Sequence, residues 1–241
     1  MSGIDIRAMN LCTRVFTEVD RLEQDLAQSI ISTLEEELEM EGRASLLLSG
    51  GSTPLNLYAR LSHFDIDWEK VMVGLVDERY VSVDSSQSNE RLIKEALIQN
   101  KATKVRFVGL IYDENDLLRN IDLATDFNKE FYTNNTCVLL GMGTDGHTAS
   151  LFPNDEHSLI GLFEDNHETP LVVTNSPAKP TQRISFTRDC LLNTKRLFLY
   201  FKGDEKMKVF TQAKAYHEPK RFPISAFIHQ EEQLLEVFWT Y

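Results

Sequence analysis

The chain has 241 residues, 42% hydrophobic and 26% charged, with 25 Lys and Arg against 37 Asp and Glu for a formal net charge of -12. That length and mix suit one globular α/β domain with a full core. The negative balance disfavours nucleic acid and anionic membrane surfaces, which are bound through basic faces, yet leaves room for a small anion in a locally positive pocket.

Near the N-terminus Val15, Val19, Leu22, Leu26, Ile30, Leu34 and Leu38 recur at steps of three or four residues, which predicts one long amphipathic helix stopped by Gly42. Residues 44–49 read as a buried strand, followed by Gly50-Gly51-Ser52-Thr53-Pro54 and a second helix. Val71–Val76 is another buried strand, ending in Asp77-Glu78-Arg79. A helix starting near Ser88 and Asn89 comes next, then a strand over Val105–Gly109, a helix over Asp116–Phe131 and a strand over Thr136–Leu140. The second half offers strands near Leu171–Thr174, Ile184–Thr187, Leu197–Phe201 and Ile224–His229, a helix after Asp204, and a last strand near Val237–Trp239.

Short apolar strands alternating with helices predict a Rossmann-like, doubly wound, mostly parallel sheet flanked by helices. With no repeat or Gly/Ser linker, one compact domain is expected over residues 1–241. No apolar run reaches membrane-span length and no basic-then-apolar leader opens the chain. Cys12, Cys137 and Cys190 are odd in number and lack metal-ligand spacing, so they read as reduced thiols and the expected compartment is the cytoplasm.

Ligands of such sheets bind beyond the carboxyl ends of the strands. Three segments rich in Gly and charge fall there. Gly50, Gly51, Ser52 and Thr53 join a strand to a helix; the glycines let backbone approach a ligand, the hydroxyls donate, and Pro54 suits a first helical turn, as a phosphate cradle needs. A tight turn with a Ser/Thr cap accounts for the same residues, and the nucleotide P-loop pattern is absent.

Gly141–Gly146 formally matches the dinucleotide fingerprint, with Glu164 and Asp165 about 20 residues on, where such a site has its acid. Pro153 leaves no room for the crossover helix, so the loop instead presents Asp145 and His147. His63, His157, His167, His217 and His229 read as surface or satisfied core residues. His147 differs by its place in a glycine-rich loop with a carboxylate two residues away. A neutral imidazole accepts a proton from water, and the carboxylate orients it. Arg79 suits an oxyanion, and Arg183 and Lys206 read as anion clamps.

Leu47–Pro54, then Asp77-Glu78-Arg79 with Asp84, Ser88 and Asn89, then Leu140-Gly-Met-Gly-Thr-Asp-Gly-His147-Thr-Ala-Ser-Leu-Phe-Pro153 resemble the 6-phosphogluconolactonase family. Arg183–Thr187, Gly203 with Lys206, and Pro223–Ala226 continue the likeness in order, so that it spans about Ser45 to His229. The resemblance implies hydrolysis of 6-phospho-D-glucono-1,5-lactone, a small-molecule substrate, with no metal and no organic cofactor; a monomer is expected. It implies His147 as the base that activates water, Arg79 at the oxyanion, and Asp77 and Asp145 as polar supports. It implies a phosphate on the Gly51–Thr53 loop, balanced by Arg183 and Lys206.

Ser82 and Thr181 stand where the family usually carries proline. The related glucosamine-6-phosphate deaminases resemble Ile-Ala-Phe-Asn-Glu-Pro after the histidine and carry tyrosine after Asp-Glu; here Phe152 precedes Pro153 and Arg79 follows Glu78. A non-catalytic sugar-phosphate sensor on the same fold is a rival from another class, and would have no need of the base and the arginine.

Overall fold

The computed structural model describes residues 10–163 and 170–241; Glu164, Asp165 and His167 lie outside the described residues. The chain opens with strand β1 (Leu11–Phe16) and then helix α1 (Val19–Glu41). Val15 therefore belongs to a strand and not to the helix: its four-residue step to Val19 mimics a helical repeat, but the side chain is 58% exposed. Leu22, Leu26, Ile30 and Leu34 are fully buried along one face of α1. The helix ends at Gly42, whose φ of 71° lets its N–H reach the Leu38 carbonyl at 3.0 Å.

Strand β2 (Ala44–Leu48), helix α2 (Leu55–Leu61) and strand β3 (Val71–Leu75) follow, then strand β4 (Asp77–Arg79), helix α3 (Asn89–Leu97), strand β5 (Arg106–Val108), helix α4 (Leu117–Phe127) and strand β6 (Asn135–Leu140). Helix α5 (Glu156–Phe163), strands β7 (Leu171–Asn175) and β8 (Gln182–Phe186), helix α6 (Arg188–Leu192) and strand β9 (Thr194–Lys202) lead to helix α7 (Asp204–Ala215), helix α8 (Ser225–Ile228) and strand β10 (Leu235–Thr240).

Seven strands form one sheet in the order β1-β10-β9-β6-β2-β3-β5, with every pairing parallel. The chain winds outward from β2 through β3 to β5, then returns to β6 and winds the other way through β9 and β10. This is the doubly wound parallel sheet that the sequence predicts. Leu46, Leu47, Leu48, Val71 and Val73 are fully buried, as strands covered on both faces require. Helix α1 packs across β2, β6 and β10.

Two departures concern short segments. Residues 224–229 read as a strand but form α8, a single turn. All of residues 222–228 are buried, so the apolar run carries no periodicity to distinguish strand from helix. Asp77–Arg79 does not extend β3. The chain turns at Val76 and β4 joins a second, three-stranded antiparallel sheet of order β4-β8-β7. Among the described residues no helix is long and apolar enough to cross a membrane.

In β3, a Cβ at Gly74 would lie 2.6 and 2.7 Å from two ring atoms of Phe131, a side chain with no exposure. Gly74→Ala should therefore lower unfolding stability by about 1–3 kcal/mol through overpacking. Urea denaturation checks this, and an unchanged midpoint would show that the Phe131 ring yields freely.

Candidate active site

The winding reverses between β2 and β6, so the loops that leave their carboxyl ends diverge and open a crevice. A cavity of about 280 Å³ lies there, lined by Ser49 to Pro54, by Asp77, Arg79 and Asn89, by Leu139 to Gly143, and by His147, Ala149, Tyr200 and Lys206. The three segments singled out in the sequence thus meet at one rim. A larger cleft of about 660 Å³ opens at the amino ends of the strands, but its Lys195 and Arg106 are committed to Glu37 and Glu130.

Ser49 holds the two diverging ends together. Its hydroxyl donates to the Leu139 carbonyl at 2.7 Å and accepts from the Gly141 N–H at 3.0 Å. The Tyr58 hydroxyl donates to the Ser49 carbonyl from α2. Among the described residues the N–H groups of Gly50, Gly51, Ser52 and Thr53 donate to no protein acceptor, which leaves four donors at the cavity wall. Pro54 stands just before α2. Gly50 has to be glycine because a Cβ there would overlap the carboxamide of Asn89.

His147 and Asp145 form a direct pair, with Nδ1 and Oδ1 2.6 Å apart. The His147 N–H also donates to the same carboxylate oxygen at 3.1 Å. The loop closes by Gly143 N–H to the His147 carbonyl, 2.9 Å, and a Cβ on Gly143 would collide with the imidazole. The ring is one-third exposed and lies against the buried Phe152, centroids 5.0 Å apart. Burial works to raise the Asp145 carboxyl, but the hydrogen bond and charge of His147 and the backbone N–H outweigh it and hold the group below the usual carboxylate range.

The β4 side carries Asp77, Glu78 and Arg79. Asp77 is buried and accepts from the Ser150 hydroxyl. Arg79 lines the cavity and donates through Nη1 to the Gln87 carbonyl. Glu78 has no exposure and faces away from the cavity; its carboxylate accepts from the N–H groups of Arg79, Asn89 and Glu90 and from the Ser88 hydroxyl. Burial pushes the Glu78 carboxyl up to about 7, against the pull of those four bonds.

Arg183 is the register partner of Arg79 in the antiparallel pair β4–β8. It does not line the cavity but lies buried behind it, with Nε and Nη1 unpartnered. Burial and the neighbouring Arg79 charge lower its pKa, opposed by Asp77 and Glu78. Lys206, two residues into α7, lines the cavity; burial lowers its pKa, opposed by Asp145 and Glu205.

Sequence reasoning passed over Ser49, Asn89, Ser150 and Tyr200 as site residues. Asn89 is visible as a helix start and, like Ser49 and Ser150, inside a family-like stretch, but without a role; Tyr200 lies in no motif. Ser82 opens a turn, accepting from the Ser85 N–H at 2.9 Å, and the Thr181 carbonyl accepts from Ser176 at 2.7 Å. Neither needs proline to hold its loop. Among the described residues no three His, Cys, Asp or Glu side chains converge to hold a metal ion.

The family described as glucosamine-6-phosphate isomerases/6-phosphogluconolactonase matches residues 17–239. A 6-phosphogluconolactonase of Neisseria meningitidis is 33% identical over 218 residues, covering 90% of this chain and 94% of its own. One from Rhizobium meliloti is 31% identical over 232 residues, covering 96% and 100%. The crystal structure of a 6-phosphogluconolactonase from Shewanella baltica superposes with a TM-score of 0.91 at 36% identity, covering 96% of this chain and 98% of that one.

The Asp145–His147 pair has a titration signature. A carboxyl held below its ordinary value contributes stability present above its unfolded pKa and lost as pH falls through the folded one. In His147→Ala the Asp145 carboxyl midpoint, followed by carbon NMR, should rise toward the ordinary range. An unmoved midpoint would mean that the pair does not form in solution.

Proposed function

This chain belongs to the glucosamine-6-phosphate isomerase/6-phosphogluconolactonase family, and we propose that it hydrolyses 6-phospho-D-glucono-1,5-lactone to 6-phosphogluconate in the oxidative branch of the pentose phosphate pathway. The observation that carries the reading is the 2.6 Å contact between His147 Nδ1 and Asp145 at a cavity rim with four unpaired loop N–H groups. With Nδ1–H donating to Asp145, Nε2 is the nitrogen left to take a proton.

In this reading the lactone's phosphate sits on Gly50, Gly51, Ser52 and Thr53, with Lys206 at its side and the Arg183 charge beside Arg79. His147 takes a proton from water as the water oxygen bonds to the lactone carbonyl carbon. The carbonyl oxygen becomes an alkoxide, and Arg79 meets its charge. The ester bond to the ring oxygen then breaks, and the protonated His147 returns its proton to that oxygen. Asp145 steadies the imidazolium, and Asp77 is held ready by Ser150. The reaction needs no covalent intermediate, metal or organic cofactor. The protein would act as a cytoplasmic monomer.

Phe152 supports hydrolysis over deamination. The related deaminases resemble Asn-Glu-Pro after the histidine, with that glutamate placed for ring opening; here Phe152 stands before Pro153, and its buried ring lies against the imidazole.

The test is hydrolysis of freshly generated lactone with spontaneous opening subtracted, and glucosamine 6-phosphate run in parallel. His147→Ala should lose about 10²- to 10⁴-fold in kcat while still binding sugar phosphate. No turnover above background in the parent protein, despite bound sugar phosphate, would favour a sensor. Arg79→Ala should lose about 10²- to 10³-fold in kcat, as for removal of an oxyanion donor. Arg183→Ala should chiefly raise KM; a large fall in kcat at unchanged KM would contradict its part in phosphate binding.

A further inference from the structure

We propose that Glu78 is a positioning residue for this reaction, a carboxylate beneath the rim whose four hydrogen bonds lock Arg79 and the start of α3 in catalytic register. The inference rests on the reading that Arg79 meets the oxyanion.

Glu78 lies at 0% exposure, behind the cavity wall. Its Oε1 accepts from Arg79 N at 2.7 Å and Asn89 N at 2.8 Å; its Oε2 accepts from Glu90 N at 2.7 Å and Ser88 Oγ at 3.0 Å. Neutral N–H and O–H donors thus satisfy both oxygens. Burying a carboxylate is costly unless such bonds are made, and Glu78 shares the capping of α3 by taking the Asn89 and Glu90 N–H groups. Ser88 supplies the rest of the cap, its hydroxyl accepting from Arg91 N at 3.1 Å. Because Glu78 belongs to β4 and also accepts from Arg79 N, the same carboxylate joins β4 to α3.

That joint fixes three groups of the cavity wall. The Arg79 peptide N–H is held, so the stem of the guanidinium leaves from a set direction, and its far end is tied to Gln87. Asn89 is held through its own N–H, and its side-chain amide donates to the Asp77 carbonyl at 2.9 Å. The phosphate loop has its own hydrogen-bonded anchors, Ser49 and Tyr58, and meets the joint only where Gly50 packs against the Asn89 carboxamide. Loss of Glu78 should therefore disturb the group that acts on the transition state more than the group that binds phosphate.

The decisive experiment is a double-mutant cycle on lactone hydrolysis with Glu78→Gln, Arg79→Ala and the pair. The amide presents an NH2 to donors, so one side of the joint opens. Glu78→Gln should lower kcat by about 10- to 100-fold, the scale of an ångström-size misplacement, with little change in KM. In the Arg79→Ala background the same substitution should add almost nothing, because no guanidinium is left to position.

An unchanged kcat in Glu78→Gln, or an equal fall in both backgrounds, would reduce Glu78 to a helix support and overturn the inference. If Glu78→Gln does not fold, Ser88→Ala removes one of the four donors and keeps the carboxylate. A smaller kcat fall that vanishes without Arg79 supports the role, and an unchanged kcat refutes it. Full activity in Arg79→Ala itself would instead sink the oxyanion role, and the positioning role with it.

Discussion

A parallel sheet that reverses its winding must leave two neighbouring strand ends without a common continuation. At β2 and β6 the backbone groups of those ends need partners in a region that has to stay open for a ligand. Ser49 meets that constraint by bonding to β6 on both sides of its end, at Leu139 and Gly141. A hydroxyl is suited to this because it donates and accepts at once. With the ends stitched, Gly50–Thr53 departs one way and Gly141–His147 the other, and the crevice between them has fixed walls. Tyr58 repeats the restraint from α2.

The second sheet supplies what the parallel sheet cannot. Its strand β4 leaves the end of β3 and turns to pair with β8, which sets Arg79 opposite Arg183. Two guanidiniums side by side repel unless an anion or carboxylates offset them. Asp77 and Glu78 do part of this from the same strand. Arg79, Arg183 and Lys206 bring three cationic side chains to or beside the cavity of a chain whose formal net charge is -12, and Nε and Nη1 of Arg183 are buried without a partner among the described residues. An acidic protein is thus compatible with an anionic ligand, as its composition alone allows.

Most of the parallel sheet was legible because β2, β3 and most of β6 are short apolar runs and the longest helix keeps a strict repeat from Leu22 to Leu38. The rim was legible because glycines, hydroxyls and charges cluster where strands end. What stayed hidden depended on distant pairing. Three residues such as Asp77–Arg79 carry no period, and only β8 reveals that they form a strand. Arg183 read as an anion clamp; the structure adds that it is the register partner of Arg79 and does not itself line the cavity, a relation set by the antiparallel pairing. Residues 224–229 were misread because burial on all sides erases the pattern. Glu78 sat inside a noticed motif, yet only the fold shows that its side chain turns away from its neighbours' cavity.

The first strand has a consequence outside catalysis. Among the described residues β1 pairs with β10 on one side and leaves its other side as an open border six residues long, with Val15 protruding into water. Such borders invite strand addition by another copy, and charge is a common deterrent. Here Arg14 is drawn inward to Glu236 at 3.0 Å, so it offers that border little local protection. The deterrent is the mutual repulsion of whole molecules bearing a net -12. Acidification toward neutrality of the whole molecule removes that repulsion and leaves the border open to strand addition.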